Sequence, residues 1–127
     1  MQTNDQKFFQ GSNGKAVLLI HGITSGAAQM IPMAKFLNDY GYSVWCVNLA
    51  GHGTFPQELL HTSCEDFIAK AEYDYKYLRK YFDTVYVGGL STGGCLSLYL
   101  AANYHEISGI IPISVQLRLR KGVFGKN

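Results

Sequence analysis

The spacing of hydrophobic and polar positions changes in a regular order along this chain, and each change marks an element. Residues 16 to 20, Ala-Val-Leu-Leu-Ile, are a continuous apolar run. A strand covered on both faces reads this way, as the strands of parallel sheets do. From about Ala27 to Tyr40 the period lengthens. Met30, Met33, Ala34, Leu37 and Tyr40 recur at steps of three and four, which predicts a helix. Pro32 is tolerated only in a first turn, so the helix starts nearer Ile31, and Gly41 suits its stop. Residues 42 to 49 read as a second core strand. Residues 50 to 60, with Gly51, Gly53 and Pro56, read as a loop.

Thr62 and Ser63 ahead of Glu65 and Asp66 form a capping-box-like start, with acids at the positive helix end. Phe67, Ile68, Ala71, Tyr75, Leu78 and Phe82 then mark one face of a helix of about five turns. A third strand is expected over 84–88 and a fourth over 107–115. Between them, residues 92–104 form a helix that Leu96, Leu98, Tyr99 and Leu100 make apolar nearly all round, so it should be the most buried. Phe8 and Phe9 suggest a short leading strand before a turn at 11–14.

The core order is βαβαβαβ. It predicts an α/β fold: a three-layer, doubly wound parallel sheet of about four core strands, with right-handed crossovers and three helices on its two faces. Ligands of such sheets bind beyond the carboxyl ends of the strands. Three loops meet that edge: 21–26, 50–60 and 89–93.

Composition narrows the picture. A chain of 127 residues is expected to be a single domain, with its core over 16–115. Hydrophobic residues at 47% and charged residues at 16% fit a buried core rather than disorder. A net charge of +2 is too small to imply nucleic acid or an anionic membrane surface. Arg118, Arg120, Lys121 and Lys126 read as a solvated basic tail over 116–127. Cys46, Cys64 and Cys95 show no disulfide-framework spacing, which suggests reduced thiols and a cytoplasmic protein. The first residues lack the apolar core of a secretory signal, and no apolar run is long enough to span a bilayer.

No cofactor is called for. The glycines at 88–89 and 93–94 lack the Lys-Ser/Thr of a phosphate-binding loop and do not match G-x-G-x-x-G. His61 and Cys64 alone are too few for a metal site. The tyrosines of 73–81 read as packing and helix-surface residues.

One stretch carries chemistry. Residues 84 to 94, Thr-Val-Tyr-Val-Gly-Gly-Leu-Ser-Thr-Gly-Gly, place G-x-S-x-G between a β-branched strand and an apolar helix. In that context the serine of a nucleophile elbow projects its hydroxyl from a sharp, strained turn. Ser91 is the candidate nucleophile. Gly89 and Gly93 flank it where strand and helix must approach closely. A tetrahedral oxyanion could be held by the Thr92 N–H and by a second N–H from the 21–26 loop, with Ile23 the candidate. Taken alone, Gly-Leu-Ser-Thr-Gly also fits a glycine-rich strand-to-helix turn of another α/β fold.

Two companions favour the first reading. His21-Gly22-Ile23-Thr24-Ser25-Gly26 follows the first core strand, and Asn48-Leu-Ala-Gly-His-Gly53 follows the second. With the elbow, they resemble the α/β-hydrolase superfamily from residue 16 to about 115. The likeness is nearest to bacterial carboxylesterases and monoacylglycerol-lipase-like enzymes. The resemblance implies that Ser91 is the nucleophile, that Ile23 and Thr92 donate to the oxyanion, and that His21 and His52 orient loops. It implies a small-molecule ester substrate and an acyl-serine intermediate, with acyl transfer open as an alternative to hydrolysis. It also implies an acid and a histidine base in later segments that these residues do not include.

Only His105 and Glu106 follow Ser91 with suitable chemistry. A helix over 92–104 would hold them roughly 20 Å away, so His105 reads as an exposed helix-end residue. Two readings therefore stand. One is a serine esterase, weak or inactive without a base from elsewhere. The other is a non-catalytic hydrolase half-domain that pairs with itself or with a complementing chain through the open edge of its fourth strand.

Overall fold

The computed structural model describes residues 7–22, 26–49 and 64–115. Within them lie five strands and three α-helices. They are β1 (Lys7–Phe9), β2 (Lys15–Ile20), α1 (Ile31–Asp39), β3 (Ser43–Val47), α2 (Cys64–Arg79), β4 (Thr84–Leu90), α3 (Thr92–Asn103) and β5 (Gly109–Ile113). A single 3₁₀ turn, Ala27–Met30, leads into α1. It takes up the first residues of the predicted helix, and Pro32 sits in the first α-helical turn, where its missing N–H costs no bond.

The sheet order is β1-β3-β2-β4-β5. β2, β3, β4 and β5 are parallel, with Leu18 opposite Trp45 on one side and Val87 on the other. The leading strand through Phe8 and Phe9 is present and pairs antiparallel with β3, which makes the sheet mixed. From β2 the chain steps one way across the sheet to β3, then back past β2 to β4 and on to β5. Crossovers of one hand place helices on opposite faces when the direction of travel reverses. Accordingly, α1 packs on one face while α2 and α3 share the other.

Period-two alternation in β2 serves both faces. Ala16, Leu18 and Ile20 meet Phe67, Ala71, Tyr75 and Leu78 of α2 and Leu96 and Leu100 of α3. Val17 and Leu19 meet Ala27, Met30 and Ala34. All five of these β2 residues are buried, each large side chain contributing about 1.5–3 kcal/mol of transfer free energy.

Some positions depart from the hydrophobic pattern. Tyr40 is 69% exposed, because α1 ends at Asp39 and the ring stacks on Phe36 on the solvent side, centroids 5.1 Å apart. In α3, Gly93, Gly94, Leu96, Ser97 and Leu100 are buried while Cys95 and Tyr99 face out. In α2, Asp74 is 1% exposed among the apolar residues. Its carboxylate accepts from the Trp45 indole N–H at 3.1 Å and pairs with Lys70 at 3.2 Å, tying α2 to β3. Burial still pushes the Asp74 carboxyl above its ordinary value of 3.8, against the pull of Lys70 and Trp45. The Tyr75 hydroxyl donates to Glu106 at 2.7 Å, joining α2 to the turn before β5.

Residues 50–60, expected as a loop, Thr62 and Ser63, expected to cap α2, and residues 116–127, expected as a tail, lie outside the described residues. Among the described residues, no helix is long and apolar enough to cross a membrane.

Candidate active site

The reversal of strand order falls at β2, flanked by β3 and β4. A crevice forms at such a reversal beyond the carboxyl ends of the strands. The exits of β2, β3 and β4 all meet there, and the described motif residues, His21, Gly22, Asn48, Leu49 and those of 89–93, lie on them.

Ser91 joins the end of β4 to the start of α3 and is exposed. Its backbone angles are φ 57° and ψ −115°, outside the regions an L-residue favours. A non-glycine residue so placed stores on the order of 1–3 kcal/mol of strain. Three features hold it. The Ser91 N–H donates to the Ile113 carbonyl at 2.8 Å, which ties the turn to the end of β5. The Ser91 carbonyl accepts from the Cys95 N–H at 3.0 Å, the first bond of α3. The third is the close packing of β4, α3 and β2. A Cβ at Gly93 would fall onto the Ile20 carbonyl, and one at Gly89 onto the backbone of Gly93. No side chain fits at either position.

Thr92 is the first residue of α3. The opening N–H groups of a helix have no partner within it, and they carry the positive end of the helix dipole. The Thr92 amide is one of these, immediately beside Ser91. Ser97, one turn further in, is buried and donates to the Gly93 and Gly94 carbonyls at 3.0 and 2.8 Å.

The exit of β2 packs against the turn. A Cβ at Gly22 would lie 3.6 Å from the Ser91 Cβ, so Gly22 and the serine are near neighbours. His21 is fully buried. Its Nε2 accepts from the Leu49 N–H at 3.0 Å, so the proton of a neutral ring sits on Nδ1, which lies 2.7 Å from the Gly22 carbonyl. One imidazole thereby links the exits of β2 and β3. Asn48 adds a second link, its Oδ1 accepting from the Ala27 N–H at 3.3 Å. Gln29 Oε1 accepts from the Gly22 N–H at 2.8 Å.

Ile23 and His52, the remaining residues expected at the site, lie outside the described residues, as does His61. His105 is exposed and follows the C-terminus of α3, with the helix between it and Ser91. A helix of this length spans about 18 Å. Gln29 was not singled out from the sequence. A polar residue ahead of a helix carries no period or motif, and its partner is a backbone amide in a different segment. The thiols are a separate matter. Burial pushes the Cys46 thiol up to about 12, which leaves it an inert core residue, while Cys64 and Cys95 are exposed at the start of α2 and on α3.

A sequence profile of the family described as serine aminopeptidase, S33 matches residues 11–126 of this chain. The chain belongs to this family of α/β hydrolases. It is 40% identical over 107 residues to the thermostable monoacylglycerol lipase of Bacillus sp. (strain H-257), covering 84% of this chain and 43% of that protein. It is 35% identical over 113 residues to the carboxylesterase of Bacillus subtilis (strain 168), covering 88% of this chain and 45% of that one. A solved structure from the study of the metagenome-derived lipolytic enzymes LipS and LipT superposes with a TM-score of 0.85 at 31% identity. That match covers 92% of this chain and 48% of the other. The hydrolase family member described here thus spans under half the length of the relatives it matches.

Proposed function

We propose that this chain carries the nucleophile half of a carboxylic ester hydrolase site, with Ser91 as the attacking residue. The observation that carries the reading is the conformation of Ser91. It is exposed at φ 57° on a strand-to-helix turn, with Gly22 nearby and the Thr92 amide adjacent. The names of the relatives, a monoacylglycerol lipase and a carboxylesterase, support ester chemistry in place of other reactions of the same elbow.

In this reading the Ser91 Oγ attacks the ester carbonyl carbon as a base removes its proton. The carbonyl π electrons move onto oxygen, and the oxyanion is held by the Thr92 and Ile23 amides. Collapse restores the carbonyl and breaks the bond to the alkoxide, which takes up the proton. Water then releases the acyl group from Ser91 by the same steps. His21 and His52 support the loops. His21 is unsuited to serve as the base, since both ring nitrogens are engaged with backbone groups. The base and its acid partner come from polypeptide outside these 127 residues, either covalently continuous or a second chain. The same segment would cover the β5 edge, which otherwise favours self-association. The substrate is a small-molecule ester, and the chemistry requires no cofactor.

A fluorophosphonate probe tests this reading. The expected result is covalent labelling of Ser91 when the segment that carries the base is present, weak or absent labelling of the 127-residue chain alone, and none in Ser91→Ala. A folded protein that stays unlabelled with that segment present, under conditions that label a full-length relative, would support the second reading, a non-catalytic half-domain.

A further inference from the structure

Gly22 is held by side chains at both ends of its backbone. Its N–H donates to Gln29 Oε1 at 2.8 Å, and its carbonyl lies 2.7 Å from the His21 Nδ1. Gly22 itself is buried against the serine turn, with the Leu90 carbonyl, Gln29 Oε1 and the Ser91 Cβ at 3.2, 3.5 and 3.6 Å from the point where its Cβ would sit. Gln29 is exposed and lies in the 3₁₀ turn ahead of α1, an element that shares no strand with the elbow. Its amide oxygen accepts from the backbone of buried Gly22, seven residues earlier.

We propose that Gln29 is a positioning residue for the hydrolase site. Its side-chain carbonyl fixes the Gly22 backbone against Ser91 and so sets the direction of the chain that leaves β2. The inference rests on Ser91 being the nucleophile. The physical reason is the cost of a buried N–H without an acceptor. Losing Gln29 Oε1 leaves the Gly22 amide to turn toward water or another group, and the loop turns with it. The role assigned to Gln29 is that of its oxygen. A side chain of the same length with an acceptor oxygen should serve, and one without should not.

Two variants separate the oxygen from the bulk. Gln29→Glu keeps an acceptor oxygen, and Gln29→Met keeps length and removes it. Two readouts are needed: hydrogen exchange of the Gly22 amide by NMR, and the rate of fluorophosphonate labelling at Ser91. In Gln29→Met the Gly22 amide should exchange at least tenfold faster and Ser91 should label at least tenfold more slowly, while the chain stays folded by circular dichroism. Gln29→Glu should stay within about threefold of the parent in both. The proposal is overturned if Gln29→Met keeps the protection of Gly22. It is equally overturned if Gln29→Met loses that protection and still labels at the parent rate. Labelling is read with the segment that carries the base present; a parent that does not label even then counts against the catalytic reading instead, and the Gly22 exchange rates alone then decide whether Gln29 holds the backbone.

Discussion

Ser91 and Gly93 illustrate opposite demands on single residues in one turn. Ser91 sits where a glycine would be more comfortable, and the cost is met by its bond to Ile113 and by the packing around it. Gly93 sits where no side chain fits, because the Ile20 carbonyl occupies the place of its Cβ. The obstacle is backbone in the central strand and cannot swing aside as a flexible side chain could. Gly93→Ala should therefore lose about 3 kcal/mol of stability, the upper end of the overpacking range. A urea-unfolding midpoint equal to that of the parent would contradict the contact. These demands were readable from sequence as far as residue type goes, because glycines two positions either side of a serine between a β-branched strand and an apolar helix call for a tight strand-to-helix turn. The hold of Gln29 on Gly22 was not readable, since a side chain bonded to a backbone amide leaves no periodic trace.

At the scale of elements, the βαβ units followed from hydrophobic spacing. Their boundaries moved by a few residues where backbone hydrogen bonding, and not side-chain polarity, ends a strand. β4 runs to Leu90 because Gly89 and Leu90 still pair with β5, although the β-branched pattern ends at Val87. The packing of α2 on β3 contains a feature the pattern obscured. Asp74 interrupts the apolar face, and it is buried because Trp45 and Lys70 supply partners. Its folded-state value is raised, so the folded protein binds a proton more tightly than the unfolded chain does. Stability contributed by protonated Asp74 is then fully present below the unfolded value of 3.8 and is lost as pH rises through the raised folded value. Asp74→Asn retains a carbonyl acceptor for Trp45 and removes the buried charge. It should be at least as stable as the parent at pH 7 and should flatten this part of the stability–pH profile, as measured by urea unfolding between pH 4 and pH 7. A variant less stable at pH 7, with an unchanged profile, would show that the pairing with Lys70 outweighs burial.

Across the whole molecule, one face of the sheet is better covered than the other. α2 and α3 pack side by side on their face, while α1 alone serves the opposite one. A groove of about 390 Å³ is left beside α1, lined by Val17, Leu37, Tyr42, Tyr86, Ile110 and Ile111 among others, and Ile111 is 36% exposed. β5 ends the sheet among the described residues. Apolar surface next to an unpaired strand promotes association, and a lysine on such a strand suppresses it. Sedimentation velocity should show concentration-dependent association of the parent chain and a shift toward monomer in Ile111→Lys. A parent that remains monomeric at all concentrations would rule out this edge as an association surface.

Hydrophobic period and glycine placement were sufficient to determine the parallel α/β core, the burial of β2 on both faces and the strand-to-helix turn at Ser91. Those properties are local, since each depends on which residues follow one another along the chain. Tertiary structure alone decided the antiparallel addition of β1, the burial of Asp74, the outward turn of Tyr40 and the frame that His21, Asn48 and Gln29 build around the loops. Each of these depends on groups far apart in the chain meeting in space, where a hydrogen bond or a ring contact outweighs the preference of the residue itself.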